Sequence, residues 1–146
     1  MKSPVVLLYR VPVLLAGLWW GVVTGLAFVA VPLLFHSLGN PAVAGQVAAK
    51  LFSVVAGCSV AAGLVLLVLA RFGRQRPLKA AVPWLLLAAL AGLVQEWGVA
   101  EQIVTARQNG GNLRVWHGLG SVLVLLQWLC ALRVFWVCAF NPATEQ

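Results

Sequence analysis

The chain has 146 residues, of which 62% are hydrophobic and 9% charged, and its mean hydropathy is +0.98. So little polar surface excludes a soluble globule of this size and leaves lipid as the solvent. The formal charge of +7 does not point to nucleic acid, because the ten Lys and Arg stand singly or in one short cluster between apolar runs, where they read as topology signals and lipid-headgroup contacts.

The first apolar run, 11–35, is uncharged and long enough to span a bilayer, which needs about 20 residues. It shows no small-residue cleavage pattern at its end and reads as a retained anchor rather than a signal peptide. Gly17, Gly21 and Gly25 recur within it at spacing four and so share one stripe, the kind of face on which a second helix packs closely. Three further runs follow at 42–70, 80–103 and 113–140. Small residues recur in each: Ser53, Gly57 and Ala61 in the second, Ala88 and Gly92 in the third, Gly120 and Ser121 in the fourth. Transmembrane barrel strands are shorter and alternate polar with apolar residues, so strands are not expected.

The connections 71–79 and 105–112 are short, so consecutive helices should run antiparallel side by side. The expectation is a single all-α domain over 1–146, an integral membrane up-and-down four-helix bundle. Lys2, Arg10, Arg71, Arg74, Arg76 and Lys79 cluster at one side against Lys50, Arg107 and Arg114 at the other, so both termini are predicted to be cytoplasmic, with Arg133 at the inner end of the fourth helix. Trp84, Trp116 and Trp136 lie near helix ends, as interfacial tryptophans do; Trp19 and Trp20 do not.

Ionisable residues inside a spanning helix are costly and normally face protein or a wet cavity. Here they are Lys50, Glu96, Glu101 and His117, with His36 at the end of the first helix. Lys50, Glu96, His117 and His36 continue the small-residue stripes and are expected to point inward. Glu96 stands 17 residues beyond Lys79, ~26 Å at the helical rise, and His117 stands 16 before Arg133, ~24 Å; Lys50 and Glu101 lie somewhat farther out. Against a hydrocarbon core about 30 Å thick, this implies a polar pocket open to the extracytoplasmic side, with Lys50 opposite Glu101 and Glu96 opposite His117. The plain alternative is that these charges only neutralise one another and hold helix register. An unpaired Glu96 would invite a proton-linked role.

His36 and His117 raise the question of a metal or haem, but the depth count separates them, and no ligand spacing accompanies them. Cys58, Cys130 and Cys138 are scattered through apolar runs and read as buried thiols. No nucleophile elbow or phosphate-binding glycine loop occurs, so neither a catalytic residue nor a cofactor or metal is expected.

The stretch LWWGVVTGLAFVAVPLLFHSL, the following AGQVAAKLF and the later RVWHGLGSVLVLL resemble the family of small four-helix membrane proteins named after transmembrane protein 205 and its bacterial relatives. The positions that carry the likeness are Trp20, Gly21, Phe28, Pro32, Phe35, Ala44, Gly45, Leu51, Phe52 and His117. The resemblance implies a four-helix membrane fold and brings no settled activity with it. The third helix departs from that pattern, with Glu96 and Glu101 in its outer half where the family would place a proline. A weaker likeness, through a Trp-Gly pair in the first helix, is to the membrane domain of D-type copper-resistance proteins, but Met1 is the only methionine and a copper-ligand set is missing.

Taken together, the sequence and the resemblance lead to a non-enzymatic bundle, expected in a bacterial inner membrane, that binds or passes a small solute or proton through the outer pocket. The alternative is a scaffold subunit packing through the glycine stripe of the first helix, and the least supported reading is a haem or metal redox protein. Expected partners are membrane lipids and a second copy or another membrane protein, and nucleic acid is not among them.

Overall fold

A computed structural model describes residues 4–73 and 76–140. Of the residues used for orientation, Lys2 and Arg74 lie outside this range. Among the described residues there is no strand. The helices are α1 (Pro4–Thr24), α2 (Val31–Ser37), α3 (Pro41–Phe72), α4 (Arg76–Ala80), α5 (Val82–Leu93), α6 (Glu101–Asn109) and α7 (Leu113–Phe140). A π-helical turn, Gly25–Ala30, joins α1 to α2, and a second, Val94–Ala100, joins α5 to α6, so each pair forms one continuous rod. Four stretches are long and apolar enough to cross a membrane: Arg10–Ser37, Pro41–Phe72, Val82–Arg107 and Leu113–Phe140. That is the mark of an integral membrane protein.

Local chemistry sets the breaks between rods. Gly39 follows α2 at φ +59°, a left-handed conformation, and Asn40 then caps α3 by accepting from the Ala42 and Val43 amides, with Pro41 in the first turn. Gly110 ends α6 in the left-handed region, and Asn112 accepts from the Val115 amide at the start of α7. The third rod continues to Asn109, past the expected 103, because Gln102, Thr105 and Arg107 interrupt hydropathy without interrupting helix. The 71–79 connection contains the short helix α4, whose Leu78 is fully buried.

α5 packs between α3 and α7, and α1 closes the group by packing on α7 and α3. Each rod contributes a buried stripe at spacing three or four: Pro12, Ala16, Trp19 and Val23; then Val55, Ser59, Gly63, Leu66 and Ala70; then Leu85, Ala88 and Gly92; then Val124, Gln127, Ala131 and Val134. The outward faces carry exposed Leu14, Leu18, Leu64, Leu86, Leu90 and Val122, apolar surface suited to lipid.

These stripes correct the expected glycine faces. Gly17 is at the edge of the buried face, where a Cβ would stand 3.2 Å from the Phe135 ring. Gly21 and Gly25 have open space beside them, since position 25 is two residues from buried Val23 and so about 200° around the helix. In α3 the close contact is made by Gly63, against Leu85 and Ala89, while Gly57 faces open space and Ala61 is exposed. Gly92 does pack as expected, with the Ala56 carbonyl oxygen 3.0 Å from where its Cβ would be. Trp19, 3% exposed, is a core residue that donates to Ser59 Oγ at 3.1 Å.

Candidate functional site

Besides the Trp19–Ser59 bond, the polar atoms of the interior form two separate clusters. The first joins three rods: Gln127 on α7 donates to Gln95 Oε1 at 2.7 Å and to the Leu123 carbonyl at 3.2 Å, and Gln95 donates to the Phe52 carbonyl of α3 at 3.3 Å. Both glutamines are buried, and Gln127 Oε1 has no hydrogen-bond partner. The second cluster ties the first rod to the last. Trp128 donates to Thr24 Oγ1 at 2.9 Å, Thr24 donates to the Trp20 carbonyl at 2.7 Å, and the Trp20 ring stacks on Phe135 with centroids 6.1 Å apart. Buried polar groups need such partners, and each bond joins specific rotations of two helices.

Beyond Gln95 the rods separate and two cavities open between α3, α6 and the start of α7. One, of about 280 Å³, is lined by Lys50, Ser53, Gln95, Glu96 and Arg107, with Phe52, Val99, Ile103 and Val104 supplying apolar wall. The other, of about 370 Å³, holds Arg107, His117 and Ser121 with Phe35 and Pro41. Ala49, Phe52, Ile103 and Arg107 line both, so the two adjoin. Glu96 is only partly exposed, and its Oε2 is shielded without a hydrogen-bond partner. Lys50 and Arg107 are exposed on their long stems. The walls are therefore apolar, with two cations and one carboxylate placed among them.

Of the five residues singled out from the sequence, Lys50 and Glu96 line the first cavity together, and His117 lines the second. Glu101 and His36 are exposed and line neither. The reason is rotational: the buried stripe of the third rod runs through Gln95, Val99 and Ala106, and Glu101, two residues from Val99, turns to the other side. His36 continues the outward face of Gly25, Val29 and Pro32. The first cavity thus has Lys50 and Glu96 on its wall, without Glu101, and the second has His117 and Arg107. Arg107 and the Gln95–Gln127 pair were not picked out by sequence reasoning. Arg107 stands eight residues from Val99, on the same face, which is the signal that was there to be read.

Among the described residues no group of three or more His, Cys, Asp or Glu could hold a metal ion.

A family model described as a domain of unknown function, DUF4149, matches residues 14–112, about two thirds of the chain. The match takes in Lys50, Gln95, Glu96 and Arg107 and stops before His117. No curated protein and no solved structure matches the chain.

Proposed function

The chain belongs to the DUF4149 family, and we propose that it is a membrane protein that binds or passes a small solute or proton through the pocket between α3, α6 and α7. The observation that carries this reading is the gathering of Lys50, Glu96 and Arg107 around one 280 Å³ space in an otherwise apolar assembly, where each charge would be costly without a purpose or a partner. The positive residues Arg71, Arg76 and Lys79 belong to the opposite end, so the pocket opens on the extracytoplasmic side of an up-and-down bundle whose termini are cytoplasmic. The same asymmetry fits a bacterial inner membrane. The likeness to the transmembrane protein 205 family belongs with this reading, as a proposal about ancestry.

The test is accessibility followed by flux. Ala49→Cys, in a background without the native cysteines and reconstituted in vesicles, is expected to react with a membrane-impermeant maleimide from the extracytoplasmic face only. Proton entry, reported by a trapped pH-sensitive dye, is expected to fall in Glu96→Gln. A cysteine protected from both sides removes the pocket reading.

One observation favours a second reading, a scaffold subunit. Gly21 and Gly25 have open space beside them and continue a face with exposed Leu14 and Leu18, a flat strip on which another helix could lie. In that case Gly21→Leu abolishes cross-linking between copies, or to a partner, without changing maleimide access at position 49.

A further inference from the structure

The 280 Å³ cavity does not end at Glu96. Glu96 and Ser53 also line a second space of about 380 Å³, a groove on the outer side between α3 and α5. Its floor is made of small residues, Ala56, Gly57, Ala61 and Gly92, and its sides of Val60, Leu64 and Leu93. Nothing stands within 4 Å of the Cβ position of Gly57, so the groove is open where a side chain would fill it. From Ser53 to Leu64 it runs 11 residues along α3, ~16 Å, close to half of the ~30 Å hydrocarbon thickness. A charged cavity near one membrane surface thus leads into an apolar groove one leaflet deep.

We infer that this combined site holds one phospholipid whose headgroup carries a hydrogen-bond donor beside its phosphate. The proposal rests on the pocket reading above and names the class of its occupant. Charge complementarity selects the headgroup. Lys50 and Arg107 supply two cations for a phosphate, and Arg107 brings the fork geometry that phosphate oxygens accept. The partnerless Oε2 of Glu96 needs a donor, which an ammonium or hydroxyl next to the phosphate provides and a quaternary choline does not. The groove takes an acyl chain, and Trp97, 71% exposed on its flank, supplies an aromatic face beside it. Water-soluble phosphate compounds would satisfy the cations and leave the groove empty.

The experiment is native mass spectrometry of the full chain, released from micelles containing equal amounts of phosphatidylethanolamine, phosphatidylglycerol and phosphatidylcholine with identical chains. One retained lipid is expected, with the ethanolamine and glycerol forms exceeding choline by about tenfold, the scale of one hydrogen bond to a charged group. Lys50→Ala with Arg107→Ala lowers retention of all three headgroups. Glu96→Ala removes the preference over choline and keeps the lipid. Gly57→Leu, whose Cβ would stand in open space, puts its side chain into the groove and lowers retention without loss of thermal stability. Equal retention of all headgroups, unchanged in the double variant, would mean ordinary annular lipid and overturn the inference. Displacement by soluble glycerophosphoethanolamine as effectively as by the intact lipid would also overturn it, while leaving the pocket reading standing; a position-49 cysteine still closed to maleimide when Lys50→Ala and Arg107→Ala have released the lipid would sink the pocket reading itself.

Discussion

The two ends of the molecule are built differently from the same kinds of residue. At one end α1, the second half of α3, α5 and the second half of α7 close around Leu66, Leu78, Leu85, Cys130 and Val134, all at most 1% exposed. At the other, α2 and the turn before it contain no buried residue, Ala106 is the one buried residue among those described in α6, and cavities separate α3, α6 and α7. Both π-helical turns lie in the open half, where a wider turn is easily accommodated and is often found beside functional sites. The boundary between the halves is the Gln95–Gln127 pair. The difference teaches that tight packing and open space are divided along the rods: close contact at one end holds them together, and the splayed other end places Lys50, Glu96 and Arg107 around a cavity without undoing them.

That division predicts a ranking of stability effects, each measured as unfolding free energy in mixed micelles. Leu85→Ala in the closed half should cost the most, about 3 kcal/mol, through the cavity that it leaves, whereas Val104→Ala, exposed on the wall of the first cavity, should cost under about 0.5 kcal/mol. Equal costs at the two sites would dissolve the comparison. Gly92→Ala follows at about 2 kcal/mol, because the atom it meets first, 3.0 Å away, is the backbone carbonyl oxygen of Ala56, which can yield only by moving α3; Gly21→Ala should be neutral. Gln127→Leu at the boundary should cost about 1 kcal/mol, since it leaves Gln95 Oε1 without its donor while also removing its own partnerless oxygen. Trp19→Phe, which removes the bond to Ser59 and keeps most of the ring packing, should cost about 0.6 kcal/mol, the least of the changes made inside the packed half.

How much of this was legible in the sequence varied by kind of feature. The four spans emerged from hydropathy within a few residues at most ends, and Asn40, Pro41 and Gly110 mark breaks that any helix would respect. Glu96 and Lys50 were legible as candidates because a charge in an apolar run needs an explanation wherever it points. Their partner was not. Lys50 was expected opposite Glu101, yet it shares its cavity with Glu96, and Arg107 entered the site from a stretch that had been read as connection. What the glycine stripe of the first helix faces was not legible for a related reason. Spacing four tells which residues share a face, and only contact tells which face is inside; in this rod the inside belongs to Pro12, Ala16, Trp19 and Val23. Gln127 gave little signal, being one amide in a long apolar run whose value depends on meeting Gln95 from another rod.

By itself the sequence determined that the chain is helical and apolar, where its four membrane-length rods lie to within a few residues, and which few residues carry charge inside them. Those properties follow from transfer out of water and from local capping, which act on each segment separately. The tertiary structure alone decided how far each rod is turned about its own axis, and therefore that Gly92 packs while Gly21 does not and that Glu96 lines one cavity with Lys50 while Glu101 lies outside it. In a soluble helix, water distinguishes the inside from the outside. Here lipid and protein core are equally apolar, so rotation is set only by close packing and by a handful of hydrogen bonds between rods, and those exist only after the rods have met.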